Sequence, residues 1–160
     1  MNNNNKVLVK MALDAWNSHI KRTDNLFDLL TDQQLLTHVA PGRNRGIYLL
    51  GHLTSVHDYL FPLYGFGQQL YPSLNDVFHD SPDDIDAEMP PLNELRSYWK
   101  KVNTSLSDNF KKFSEDEWFQ KHNMITEDDF LKEPHRNRLN VLINRTNHLA
   151  YHLGQLVFLK

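Results

Sequence analysis

At 160 residues, with 40% hydrophobic and 23% charged positions, the chain is long enough for one well-buried core and too short for two ordinary domains, so a single domain spanning 1–160 is expected. A net charge of −3, spread over both signs without a basic stripe, argues against nucleic acid as a partner. The absence of Cys excludes disulfides, thiolate ligands and a cysteine nucleophile, and leaves any metal to His, Asp or Glu.

The chain begins with a polar stretch, Met1 to Lys6, that lacks the apolar segment of a secretion signal. No apolar run approaches membrane-spanning length, so a cytoplasmic protein with no membrane partner is expected. Across residues 6–30, Leu8, Met11, Ala12, Ala15, Leu26, Leu29 and Leu30 recur at helical spacing without Pro or Gly, which predicts a first long helix. Thr31 is suited to cap a short helical turn through Leu36, and Pro41-Gly42 marks a reversal. Residues 44–64 predict a second helix, in which Leu49, Val56, Leu60 and Leu63 share a sector with Arg45, Tyr48, His52 and Tyr59. His52 should therefore face the interior. His57 falls further round, beside Leu50 and Leu53, as a boundary histidine, and Pro62 is placed to kink or end the helix.

Residues 65–90 hold Gly65, Gly67, Pro72, Pro82 and Pro90, so long regular structure is not expected there. A connection of that length predicts a crossover from one end of the domain to the other. Its acidic cluster, Asp80, Asp83, Asp84, Asp86 and Glu88, lacks the spacing of a calcium loop and reads as a solvated surface that could also form a rim over a pocket. Residues 91–113 give the clearest amphipathic pattern, with Leu92, Leu95, Trp99, Val102, Leu106, Phe110 and Phe113 at steps of three and four. Ser114 and Glu117 have capping-box spacing for one further turn that would return Trp118 and Phe119 to the core. The polar segment 122–136 reads as loose, and Asn137 is suited to cap a last helix over 138–158.

On that last helix His148 and His152 stand one turn apart on a face shared with Val141, Leu149, Leu156 and Leu159, so both should point inward. Two imidazoles at this spacing can share one metal ion, yet with nine His in the chain the spacing alone also fits core histidines bonded to their neighbours. His52 is the candidate third ligand, with His57 as its competitor. Three neutral imidazoles and an open position would make a catalytic rather than a closed structural geometry. The other side of the helix carries Leu139, Ile143, Ala150, Gly154 and Val157, a small-residue apolar surface that could meet another helix within the bundle or across a homodimer.

Gly51-His52 and the ending His148-x-x-x-His152-x-Gly154-Gln155 resemble the DinB/YfiT-like metal-binding four-helix bundles, over nearly the whole chain. The resemblance implies an all-α four-helix bundle with a long crossover between helices two and three. It also implies His52, His148 and His152 as ligands of a divalent transition metal, nickel or zinc. Relatives of this kind include bacillithiol-type S-transferases and mycothiol-dependent isomerases, so a low-molecular-weight thiol is implied as a possible co-substrate. The expected function is a metal-dependent thiol S-transferase or hydrolase acting on a small molecule, with Arg145, Tyr48 and Tyr59 as candidate substrate contacts. The alternative is a non-catalytic metal- or small-ligand-binding dimer, and a metal-free helical protein remains a third reading.

Overall fold

Four long helical stretches carry the interior, each following the apolar spacing of its sequence. The computed structural model describes residues 3–160; Met1 and Asn2, the head of the polar N-terminal stretch, lie outside the described residues. Helix α1 (Asn3–Leu29) buries Val9, Trp16, Leu26 and Phe27. Short helix α2 (Asp32–Leu35) is capped by Thr31, whose hydroxyl takes the Gln34 N–H while the Gln34 side chain answers the Thr31 backbone. This capping box satisfies two donors that the first turn leaves open.

The second long stretch is broken in two, as α3 (Gly46–Asp58) and α4 (Leu60–Tyr64). The break at Tyr59 follows from Pro62, which has no N–H to give and whose ring crowds the carbonyl four residues back, at Asp58. Gly65 then ends α4 with φ +81°, a left-handed conformation that a side chain would strain.

The connection that follows contains a 3-10 turn (Pro72–Leu74) and α5 (Asn75–Phe78), which bury Leu74 and Phe78. Helix α6 (Leu92–Phe110) starts one residue after Pro91, which serves as its cap, and ends three residues short of the expected Phe113. A 3-10 turn (Asp116–Phe119) follows the Ser114–Glu117 hydrogen bonds and seats Trp118 in the core, with Phe119 half-buried. The segment expected to be loose holds a six-residue helix, α7 (Glu127–Lys132), capped by Thr126 through the Asp129 N–H. Helix α8 (Arg138–Leu156) is capped by Asn137 and gives way to a terminal 3-10 turn, Val157–Leu159.

Helix α1 packs against α8 and α6, and α3 packs against α6 and α8. The described residues form no strand, only two isolated bridges, His38 with Arg45 and Lys121 with Asn137. The core divides into two clusters. One is leucine-rich and joins the first half of α3 to α5 and the end of α8; the other gathers Trp16, Tyr64, Phe110 and Trp118 around α4. Among the described residues no helix is long and apolar enough to cross a membrane.

The acidic connection is not uniformly solvated. Asp83 buries its side chain against Arg45, accepting from the Arg45 backbone N–H at 2.7 Å and from Nη2 at 2.6 Å. The expectation failed because its partner lies 38 residues earlier, beyond the reach of local charge patterning.

Candidate metal centre

Helix α3 presents His52 to α8 because its neighbour in sequence has no side chain. A Cβ on Gly51 would come within 2.3 Å of the Phe78 ring, so only glycine lets α5 lie this close. The Phe78 carbonyl thereby reaches His52, whose Nδ1–H donates to it at 2.7 Å. Tyr48, one turn earlier, stacks on the His52 ring at 5.9 Å between centroids and donates its hydroxyl to the Ser81 carbonyl at 2.7 Å.

Across from His52, Leu149, Leu153 and Leu156 anchor α8 in the core and turn His148 and His152 toward it. His52 Nε2 lies 3.2 Å from His148 Nε2, which lies 3.1 Å from His152 Nε2. The three form a group that could hold a metal ion. Their outer nitrogens test the fit. A carbonyl can only accept, so His52 carries its proton on Nδ1, and His152 likewise gives Nδ1–H to the Gln155 amide oxygen at 2.8 Å. Both Nε2 atoms are then bare lone pairs aimed at His148. Converging lone pairs repel one another unless a cation sits among them, and tetrahedral Zn–N bonds would set neighbouring nitrogens about 3.3 Å apart. The donor set therefore fits a divalent transition ion.

Proton affinity at the group is low. Burial, then the fields of His152 and His52, holds His148 down at about 3. Burial also lowers His52 against the pull of its Phe78 bond, and lowers His152 against that of Gln155. At neutral pH the nitrogens stay free for a metal.

Arg145, one turn before His148, is half-buried, and burial lowers its pKa; among the described residues it has no carboxylate or hydrogen-bond partner. Its field reaches His52, His57 and His148. Tyr48, expected as a substrate contact, donates its only proton to the Ser81 carbonyl and stacks on His52. Tyr59 is half-buried and lies against His79, with ring centroids 5.5 Å apart. His79 itself acts electrostatically on His52 and His148 from the connection, a neighbour that no motif announced. A cavity of about 200 Å³ opens beside His152, lined by Gly42, Arg43, Asn44, Tyr151 and Gln155.

His57 is not part of this group. It is fully buried rather than at the boundary, its ring held between Trp16 at 4.7 Å and Trp99 at 5.1 Å. Its Nδ1–H donates to the Asn103 amide oxygen at 2.8 Å, and Asn103 in turn donates to the Trp99 carbonyl at 2.9 Å. The other side of α8 makes no close helix contact at its glycine: nothing lies within 4 Å of a Cβ built on Gly154, and Ile143 and Val157 are exposed.

The sequence model of the DinB superfamily matches residues 15–156, a span that takes in all three histidines. The chain belongs to the DinB superfamily. Its fold is shared with the crystal structure of a conserved protein from Enterococcus faecalis. The TM-score is 0.64 over 94% of this chain and 93% of that one, and the sequences are 15% identical, so the likeness speaks for the fold alone. Among curated proteins no sequence matches the chain.

Proposed function

We propose that this DinB-superfamily chain is one four-helix-bundle domain whose His52, His148 and His152 hold a divalent transition metal, nickel or zinc, for a transferase or hydrolase reaction on a small molecule. The observation that carries the reading is the convergence of three imidazole Nε2 atoms with two of the three outer nitrogens committed as donors. The bundle reading rests on contacts: His57 meets Trp99 and Asn103 while Tyr64 meets Phe110, so α3 with α4 runs parallel to α6. Residues 65–91 are then the crossover that returns the chain to the other end.

A divalent ion held only by neutral ligands keeps its full charge, so when bound it acidifies a thiol or water and polarises a substrate oxygen. The chain offers no Cys, so the attacking group is a low-molecular-weight thiol or water brought to the site. Arg145, a half-buried cation with no carboxylate or hydrogen-bond partner among the described residues, binds an anionic group of the substrate or thiol, and Tyr59, packed against His79, is a second candidate contact. Arg43 at the mouth of the cavity beside His152 gives the approach the same sign of charge.

Untagged protein should carry about one transition ion per chain, read by elemental analysis, and His152→Ala should lose it. Turnover of electrophiles, offered with and without thiols, should require the ion, rise with pH and leave no adduct on the protein by mass spectrometry. Stoichiometric metal in His152→Ala, or full turnover after stripping, would overturn the reading.

The small size of the cavity favours a second reading, a non-catalytic metal or small-ligand binder, because sites for drug-sized ligands span about 300–1,000 Å³. In either case we expect a cytoplasmic homodimer through the exposed face of α8 around Ile143, Gly154 and Val157. Sedimentation of Gly154→Leu should show a weakened dimer, and a wild-type monomer at micromolar concentration would remove this part.

A further inference from the structure

Among the described residues three buried ring nitrogens have no hydrogen-bond partner: His19 Nδ1 on α1, and the pair formed by His57 Nε2 and His148 Nδ1. Buried polar atoms are rarely left so. The chemistry of the pair is complementary. The Asn103 amide nitrogen donates to the Trp99 carbonyl, so its oxygen faces His57 and fixes the proton of that ring on Nδ1. His57 Nε2 is consequently an acceptor. His148 turns Nε2 to the other two histidines, and a ring that gives that lone pair to a metal must carry its proton on Nδ1. His148 Nδ1 is consequently a donor. Of the titratable neighbours that act on His57 through space, His148 comes first, ahead of Arg145 and His52.

We propose that His57 is a positioning residue for the metal centre, linked to His148 by one buried water that accepts from His148 Nδ1–H and donates to His57 Nε2. This rests on the metal-site reading above. It completes a pattern in which each outer imidazole nitrogen is held: His52 by the Phe78 carbonyl, His152 by Gln155, and His148 through water by His57. Such outer partners fix the tautomer and orientation of a ligating ring. A water needs at least two polar partners to stay in an otherwise apolar interior, and the two orphaned nitrogens supply them. The wall behind His57 is Trp16, Trp99 and Asn103, so the arrangement ties a ligand on α8 to α1 and α6 as well as α3.

The test uses the full-length zinc-loaded protein. Long-range nitrogen–proton correlation spectra of the wild type should show the Nδ1–H tautomer for both His57 and His148, with the His148 proton slow to exchange. An Nε2–H tautomer at His57 would overturn the link. Two variants separate positioning from packing, since His57→Gln keeps an acceptor near the place of Nε2 whereas His57→Asn keeps only the donor toward Asn103. His57→Asn should weaken zinc binding by about 10- to 100-fold, as loss of an outer partner does, and His57→Gln should bind as the wild type does. Equal affinities in the two variants, or tighter binding by His57→Asn, would overturn the inference while leaving the metal site intact. A wild type that takes up no zinc would overturn the metal reading itself.

Discussion

The region around the first half of α3 and the region around α4 are held together by different means. At the first, directional polar contacts latch the connection between α4 and α6 onto the helix: Asp83 on Arg45, the Ser81 carbonyl on Tyr48, and the Phe78 carbonyl on His52. At the second, Tyr64, Phe110, Phe113 and Trp118 pack ring against ring, with centroids 5.3–6.1 Å apart. Apolar burial is non-directional and tolerates small shifts, whereas a hydrogen bond fixes where an atom stands. The molecule gains bulk stability at one region and atomic placement at the other, and the histidines lie where placement is set.

The sharpest way to break this contrast is a matched pair of variants. Trp118→Ala should cost about 3–5 kcal/mol by leaving a large cavity among the aromatic rings. Asp83→Ala should cost a similar amount, about 3–5 kcal/mol, by stranding the buried Arg45 guanidinium without its carboxylate. Denaturant unfolding would measure both, and zinc competition titrations would separate them. Only Asp83→Ala should weaken metal binding, because it unlatches the segment that carries Phe78. Equal metal affinities would erase the distinction between the two regions.

Gly51→Ala acts at the latch itself. The new methyl would press on the Phe78 ring, an overpacking worth about 1–3 kcal/mol, and push the carbonyl away from His52. Unfolding midpoints with and without zinc should show a larger loss for the loaded protein. An equal loss in the two forms would mean that the Phe78 carbonyl does not serve the site.

The smallest expected effect is the slope of stability with pH. Burial holds His57 down at about 3 from its ordinary 6.5. Between those values the unfolded chain binds a proton that the folded protein refuses, so stability is full above about pH 6.5 and falls as pH drops toward 3. This one histidine should contribute about 1.4 kcal/mol per pH unit. Unfolding of the metal-free protein at pH 7, 6 and 5, beside His57→Gln, would measure it. An unchanged slope in the variant would show that His57 takes up its proton inside the fold.

The long helices were legible because each buries one face, and burial leaves a periodic trace in the sequence. The caps at Thr31 and Asn137 were legible because capping is local. Helix α7 buries none of its residues, so it leaves no such trace and only its Thr126 cap betrays it. That His52, His148 and His152 meet could be read from helical faces, since each lies in the inward sector of its helix. The supports of the site could not be read so. Phe78, Ser81 and Asp83 reach α3 from 26, 33 and 38 residues away, and nothing in their own neighbourhood records the partner. His57 was misplaced for a related reason: the wheel gives a direction along α3 but not that Trp16 and Trp99 close over it.

The histidine group also has a consequence in time. His148 and His152 belong to one turn of helix, but His52 is 96 residues away from His148, so the group is two-thirds local and one-third remote. Local pairs form in well under a millisecond, while a remote contact waits for the chain to close on itself. On the proposed function, an ion present during refolding would meet the pair on α8 first and recruit α3 afterwards, and so would guide the last closure. Refolding with zinc present from the start should be faster than refolding with zinc added at the end, and identical stopped-flow rates would show that the ion enters only a finished site.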